Sequence, residues 1–112
     1  PFHTKLLEPA SQQLAQELAK IEIKDLQVPV ISNTTAKPMK QEQVKDLLEK
    51  QVKSPVRFYE SIEQLKQMGI EQMIEIGPGK VLTGFFKKID KTIAASRVED
   101  AQTLFDTLSR FD

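Results

Sequence analysis

At 112 residues, 39% of them hydrophobic and 29% charged, the chain is long enough for one hydrophobic core and short for a second domain. Sixteen basic and sixteen acidic residues cancel, which removes the global field that draws a protein to nucleic acid or to an anionic membrane. The lack of cysteine excludes disulfides and thiolate metal sites, and a single histidine excludes an imidazole metal cluster. No apolar run approaches the roughly 20 residues of a membrane span, and no signal-peptide pattern opens the chain. A cytoplasmic setting is expected. The first residues are Pro1-Phe2-His3-Thr4 with no methionine ahead, so the chain is expected to start inside a longer polypeptide.

Helical and strand-like segments alternate along the sequence. From about Leu6 to Ile21, the spacing of Leu7, Leu14, Leu18 and Ile21 predicts an amphipathic helix, with Pro9 early enough to be tolerated. Val28-Pro29-Val30-Ile31-Ser32 reads as a short strand, and Pro29 restricts it to an edge or an irregular start. Asn33 to Pro38 is a polar, turn-rich loop. Val44, Leu47, Leu48 and Val52 mark a second helix. Ser54-Pro55 is expected to cap and open a third, with Phe58, Ile62 and Leu65 as its stripe and Gly69 as its end.

Met73-Ile74-Glu75-Ile76 is a strand candidate that runs straight into a Gly77-Pro78-Gly79 turn. Helical spacing resumes from Lys80 to Ile89. Thr92-Ile93-Ala94-Ala95-Ser96 is a weaker third strand, and Asp100 is placed to cap a last helix with Leu104, Leu108 and Phe111 inward. Strands separated by helices predict an α/β fold, with short parallel strands covered by helices. Three strands are few for a sheet covered on both faces, so further strands are expected in an N-terminal portion of the longer chain.

Two places invite a chemical reading. Histidine is suited to moving protons near neutral pH, yet a lone histidine near a terminus is ordinarily a surface or satisfied core residue. A catalytic histidine needs a nucleophile on one nitrogen and an acceptor on the other. None of Ser11, Ser32, Ser54, Ser61, Ser96 and Ser109 lies in a Gly-x-Ser-x-Gly elbow, so the sequence supplies no internal Ser-His pair. The second place is the Gly77–Lys80 corner. A strand, a glycine turn and a helix N-terminus can hold a phosphate on backbone amides. The same residues also suit a plain tight turn, with glycines for unusual backbone angles and close packing.

Several motifs in one order resemble the C-terminal part of the malonyl-CoA:acyl carrier protein transacylases. Phe2-His3 with Leu6 to Ala10 resembles the region around that family's general base, and Val28 to Asn33 is similar to its following strand and turn. Gln51 with Ser54-Pro55-Val56-Arg57-Phe58 matches its glutamine and Pro-Val element, and Glu75 to Gly84 is close to its glycine-bearing corner. The resemblance implies that residues 1–112 are the C-terminal segment of a single acyltransferase domain, in an α/β-hydrolase-like large subdomain. It implies ping-pong transfer of malonyl from coenzyme A, through a serine ester, to the phosphopantetheine thiol of acyl carrier protein in fatty-acid synthesis. No cofactor is implied, since coenzyme A arrives as part of the substrate.

By the same resemblance His3 is the general base, Gln51 supplies the acceptor for its other ring nitrogen, and Phe2 selects malonyl by crowding the substrate's α-carbon. As a helix-end residue, Gln51 is expected to act through its main-chain carbonyl. The nucleophilic serine and the arginine that pairs with the malonyl carboxylate have no counterparts, so the segment alone is expected to be inactive. The competing reading is a non-catalytic α/β binding module that takes an anion at Gly77–Lys80.

Overall fold

The computed structural model describes residues 3–111, which divide between Gln64 and Leu65 into two compact units. Among the described residues no helix is long and apolar enough to cross a membrane.

In the first unit a 3-10 turn, Lys5–Leu7, leads into α1, Glu8–Ala19, with a proline in its first turn where no intrahelical N–H is needed. A second 3-10 turn, Gln41–Gln43, opens α2, Val44–Lys53. Helix α2 has Asp46 in its first turn and Lys50 and Lys53 in its last, each on the favourable side of the helix dipole. Asp46 and Lys50 also pair across one turn at 2.9 Å. Leu18 of α1 and Val44 and Leu47 of α2 are buried where the two helices pack. The apolar spacing read from the sequence is therefore real, but α1 ends at Ala19, and Ile21 lies beyond it and is exposed.

Two expectations for this region need correction. Val28–Ser32 is no strand: it makes a single antiparallel bridge, Ile31 to Pro38. Its backbone groups are satisfied inside a tight loop instead, with Met39 N–H donating to Val30 O, Ser32 N–H to Lys37 O and Ala36 N–H to Ser32 O. Ser54-Pro55 does not open a helix either. Ser54 is the extended residue that closes α2, and α3, Phe58–Gln67, begins three residues after Pro55.

The end of α3 is as the sequence indicates. Gly69, at φ 85°, donates to Lys66 O and Ile70 donates to Leu65 O, the paired bonds of a Schellman stop.

The second unit is built on a strand–helix–strand crossover. β1, Gln72–Ile76, pairs in parallel with β2, Ala94–Val98, in a register that sets Gln72 opposite Ala94 and Ile76 opposite Val98. Helix α4, Val81–Ile89, connects them and buries Phe86 almost completely, worth roughly 1.5–3 kcal/mol by transfer bookkeeping. Asp100 caps α5, Ala101–Leu108, by accepting from Thr103 N–H at 2.8 Å, and Thr103 Oγ1 accepts from Asp100 N–H in return. Thr107 is buried and donates to Arg97 O on β2. The α/β class with short parallel strands stands, but two strands form among the described residues where three were expected. Leu104, Leu108 and Phe111 are likewise not inward, since each stays about half exposed.

Candidate functional site

An α-helix ends with four carbonyls that have no intrahelical donor. In α2 two of these, Gln51 and Val52, are taken by one residue. His3 donates its backbone N–H to Val52 O at 3.0 Å, and its ring Nδ1 lies 2.8 Å from Gln51 O. A carbonyl can only accept, so Nδ1 carries the proton and the neutral ring keeps its lone pair on Nε2. The imidazole is thus held in the tautomer of a base.

This arrangement asks something of the backbone. His3 has φ 62°, a left-handed conformation that costs a non-glycine residue about 1–3 kcal/mol and persists only where its surroundings over-determine it. The two bonds to the end of α2 provide that determination. Gln51 therefore meets His3 through its main chain, as expected for a helix-end residue. Phe2 lies outside the described residues.

The helix end that holds His3 is itself tied to α1. Ser11 Oγ donates to Glu49 O at 2.9 Å, and Lys53 Nζ pairs with Glu8 at 3.0 Å. Sequence reasoning weighed Ser11 only as a nucleophile and missed this contact. The signal was present: Leu7, Ser11, Leu14 and Leu18 share one heptad-like stripe, so a small polar residue sits where burial is expected. Other serines are engaged elsewhere, Ser61 donating to Arg57 O and Ser109 to Asp106 O within their own turns, and Ser96 accepting from Arg110.

The glycine corner has a different character. Gly77 at φ 135° and Gly79 at φ 84° adopt angles that L side chains avoid, and a Cβ at either position meets nothing within 4 Å in this chain. Their role here is conformational, and the close packing also expected of them is not found. Glu75, at the end of β1, turns back over the start of α4. Its carboxylate accepts from Thr83 Oγ1 at 2.6 Å, Thr83 N–H at 2.7 Å and Leu82 N–H at 3.2 Å.

Those bonds, the Thr83 hydroxyl's first, hold the Glu75 carboxyl below its ordinary pKa. Glu99 accepts from Gly79 N–H at 3.3 Å. The amides of Gly79, Leu82 and Thr83 are therefore occupied by the chain's own carboxylates, whose charge would repel an external anion. This weighs against the reading of the Gly77–Lys80 corner as an anion site.

With this geometry established, the chain was compared with known proteins. No family model matches it. It is 45% identical over 105 residues to the malonyl CoA-acyl carrier protein transacylase of Bacillus subtilis, covering 93% of this chain and 33% of that protein. Among solved structures it superposes on MCAT from Streptococcus pneumoniae with TM-score 0.94 and 53% identity, over 98% of this chain and 36% of that one. A malonyl-transacylase solved in complex with a type II PKS acyl-carrier protein gives TM-score 0.90 at 38% identity, over 98% and 36% of the two chains.

The chain is thus an α/β segment homologous to one part of the malonyl CoA-acyl carrier protein transacylases. It spans about a third of the length of the curated relatives it matches. The resemblance drawn from the Phe2-His3 and Glu75–Gly84 motifs is in agreement.

Proposed function

We propose that this chain is the C-terminal part of a malonyl-CoA:acyl carrier protein transacylase of fatty-acid synthesis, and that it supplies the general base. The nucleophilic serine belongs to the N-terminal portion of the same enzyme. His3 Nε2 takes the serine proton as the oxygen attacks the malonyl thioester. Collapse of the tetrahedral intermediate breaks the C–S bond, and the imidazolium returns the proton to the leaving coenzyme A thiol. The phosphopantetheine thiol of acyl carrier protein then gives its proton to the same nitrogen and attacks the malonyl-serine ester. The proton finally goes back to the serine oxygen. Nothing is consumed by the histidine in either half-reaction.

The observation that carries this reading is the 2.8 Å contact between His3 Nδ1 and the Gln51 carbonyl, which reserves Nε2 for proton transfer. Gln51 is the orienting acceptor, and a neutral carbonyl makes the pair a dyad without the carboxylate of a triad. Phe2, next to the base in sequence, is proposed to narrow the space at the substrate α-carbon. One methyl group in a pocket decides only about 1–3 kcal/mol, so the preference for malonyl is partial. The partners are malonyl-CoA, acyl carrier protein and the serine-bearing portion of the enzyme, in a cytoplasmic setting.

The test is rapid-quench measurement of malonyl-enzyme formation in the complete enzyme. His3→Ala should slow serine acylation by ~10²–10⁴. Acylation at close to the wild-type rate would reject the assignment.

A further inference from the structure

Ser11 is 0% exposed, and its hydroxyl reaches from α1 to the carbonyl of Glu49 in α2. The helical donor to that carbonyl is the N–H of Lys53, the last residue of α2. Among the carbonyls just beyond it, Gln51 and Val52 receive His3. One short stretch of chain, residues 3–11, therefore grips the final turn of α2 at three carbonyls. His3 grips two of them from a strained left-handed backbone, and Ser11 grips the third from a regular helix. His3 depends on the turn for its own strained conformation, whereas Ser11 ties the turn to a regular helix that packs along α2. The part-buried Glu8–Lys53 pair lies alongside as a second tie between the same two helices, but it holds the side chain of the last α2 residue and not one of the carbonyls behind His3.

We propose that Ser11 is a positioning residue for His3: it fixes the last turn of α2 against α1, so that the Gln51 carbonyl meets Nδ1 with Nε2 aimed at the reacting proton. The assignment rests on the reading of His3 as general base. A hydroxyl that merely filled a gap between helices could be replaced by alanine without consequence for the chemical step. One that sets the direction of the base could not, because a misplacement of about 1 Å at the reacting groups can cost on the order of 10²-fold in rate.

The experiment is a two-by-two set in the complete enzyme: wild type, Ser11→Ala, His3→Ala and the double variant, each assayed for single-turnover serine acylation and for KM. Ser11→Ala is expected to lower the acylation rate about 3- to 10-fold with KM for malonyl-CoA unchanged. In the His3→Ala background the same change is expected to alter the residual rate less than about twofold, since its effect runs through the imidazole. An equal loss in both backgrounds would identify general destabilisation and overturn the proposal. So would a Ser11→Ala enzyme with wild-type acylation, or one altered in KM alone. If His3→Ala itself acylates normally, the base assignment and this proposal fall together. A crippled His3→Ala beside an unimpaired Ser11→Ala removes the positioning role alone.

Discussion

A carbonyl behind an imidazole does part of what a carboxylate does there. It fixes the tautomer and the ring plane, but it offers only a dipole to the imidazolium that forms during proton transfer. Because the acceptor at residue 51 is main-chain oxygen, Gln51→Ala leaves it in place. That variant should keep acylation within about fivefold of wild type, against the ~10²–10⁴ loss expected for His3→Ala. The same rapid-quench assay decides the matter, and a loss as deep as that of His3→Ala would transfer the role to the side-chain amide. At this scale the sequence was legible where chemistry depends on residue type. His3 stands out because it is unique, whereas Gln51 was singled out only by the family resemblance, helix geometry adding that its main-chain carbonyl would be the acceptor. Ser11 was harder to see, because a buried serine and a surface serine are the same letter until a partner helix arrives. The left-handed backbone at His3 has no signature in the sequence at all.

Among the elements, two set by local chemistry were read correctly, while a third, the helix start expected at Ser54-Pro55, was not. Gly69 stops α3 through its positive φ, and Asp100 caps α5, because each needs only its near neighbours. Val28–Ser32 has the β-branched residues of a strand, but a ladder needs a partner, and here the loop closes on itself first. The same logic explains why the α5 leucines were expected inward: their spacing reports an apolar face and says nothing of what covers it. A further device at this scale is Asp90, which follows α4. Its carboxylate lies 2.7 Å from Lys66 Nζ and accepts from Thr92 N–H and Oγ1, tying the end of α3 to the approach to β2. The bond from Lys66, reinforced by those from Thr92, lowers its pKa from 3.8 to about 2. A depressed carboxyl contributes stability that is present above its unfolded pKa and lost as pH falls through its folded one. Asp90→Asn should therefore be less stable than wild type at neutral pH, with the difference closing between pH 3.8 and about 2. Urea titrations of the complete enzyme across that range test this, and a difference that does not change with pH would mean that the ion pair and its hydrogen bonds are not responsible.

On the scale of the whole chain, the second unit has the surface of an interior. Ile76 is 82% exposed, Phe105 71% and Val81 68%, and Leu82, Phe85, Leu104 and Leu108 are near half. A cavity of about 370 Å³ lined by Ile74, Ile76, Leu82 and Phe86 opens on one face of the sheet. Among the described residues β1 and β2 pair only with each other, which leaves the outer edge of each strand without a ladder partner. Single exposed apolar side chains are ordinary, but contiguous ones beside open strand edges favour association or partial unfolding. A two-stranded sheet is also marginal in water without more strands or a covered face. The relatives are about three times as long, and on the function proposed above their additional polypeptide is what would cover this face. The expectation is that the 112-residue chain made alone is inactive, unfolds broadly and self-associates with rising concentration. Adding the N-terminal portion as a separate chain should restore a cooperative transition, because on that reading the surface between the two would be a core cut in half. Thermal melts and sedimentation at several concentrations, paired with a malonyl-transfer assay before and after the complement is added, measure both halves of this claim. A sharp, concentration-independent melt for the chain alone would make it an autonomous domain whose apolar face needs another explanation. Malonyl transfer by the purified chain would be more damaging, since it would require a nucleophile positioned against His3 by these residues themselves.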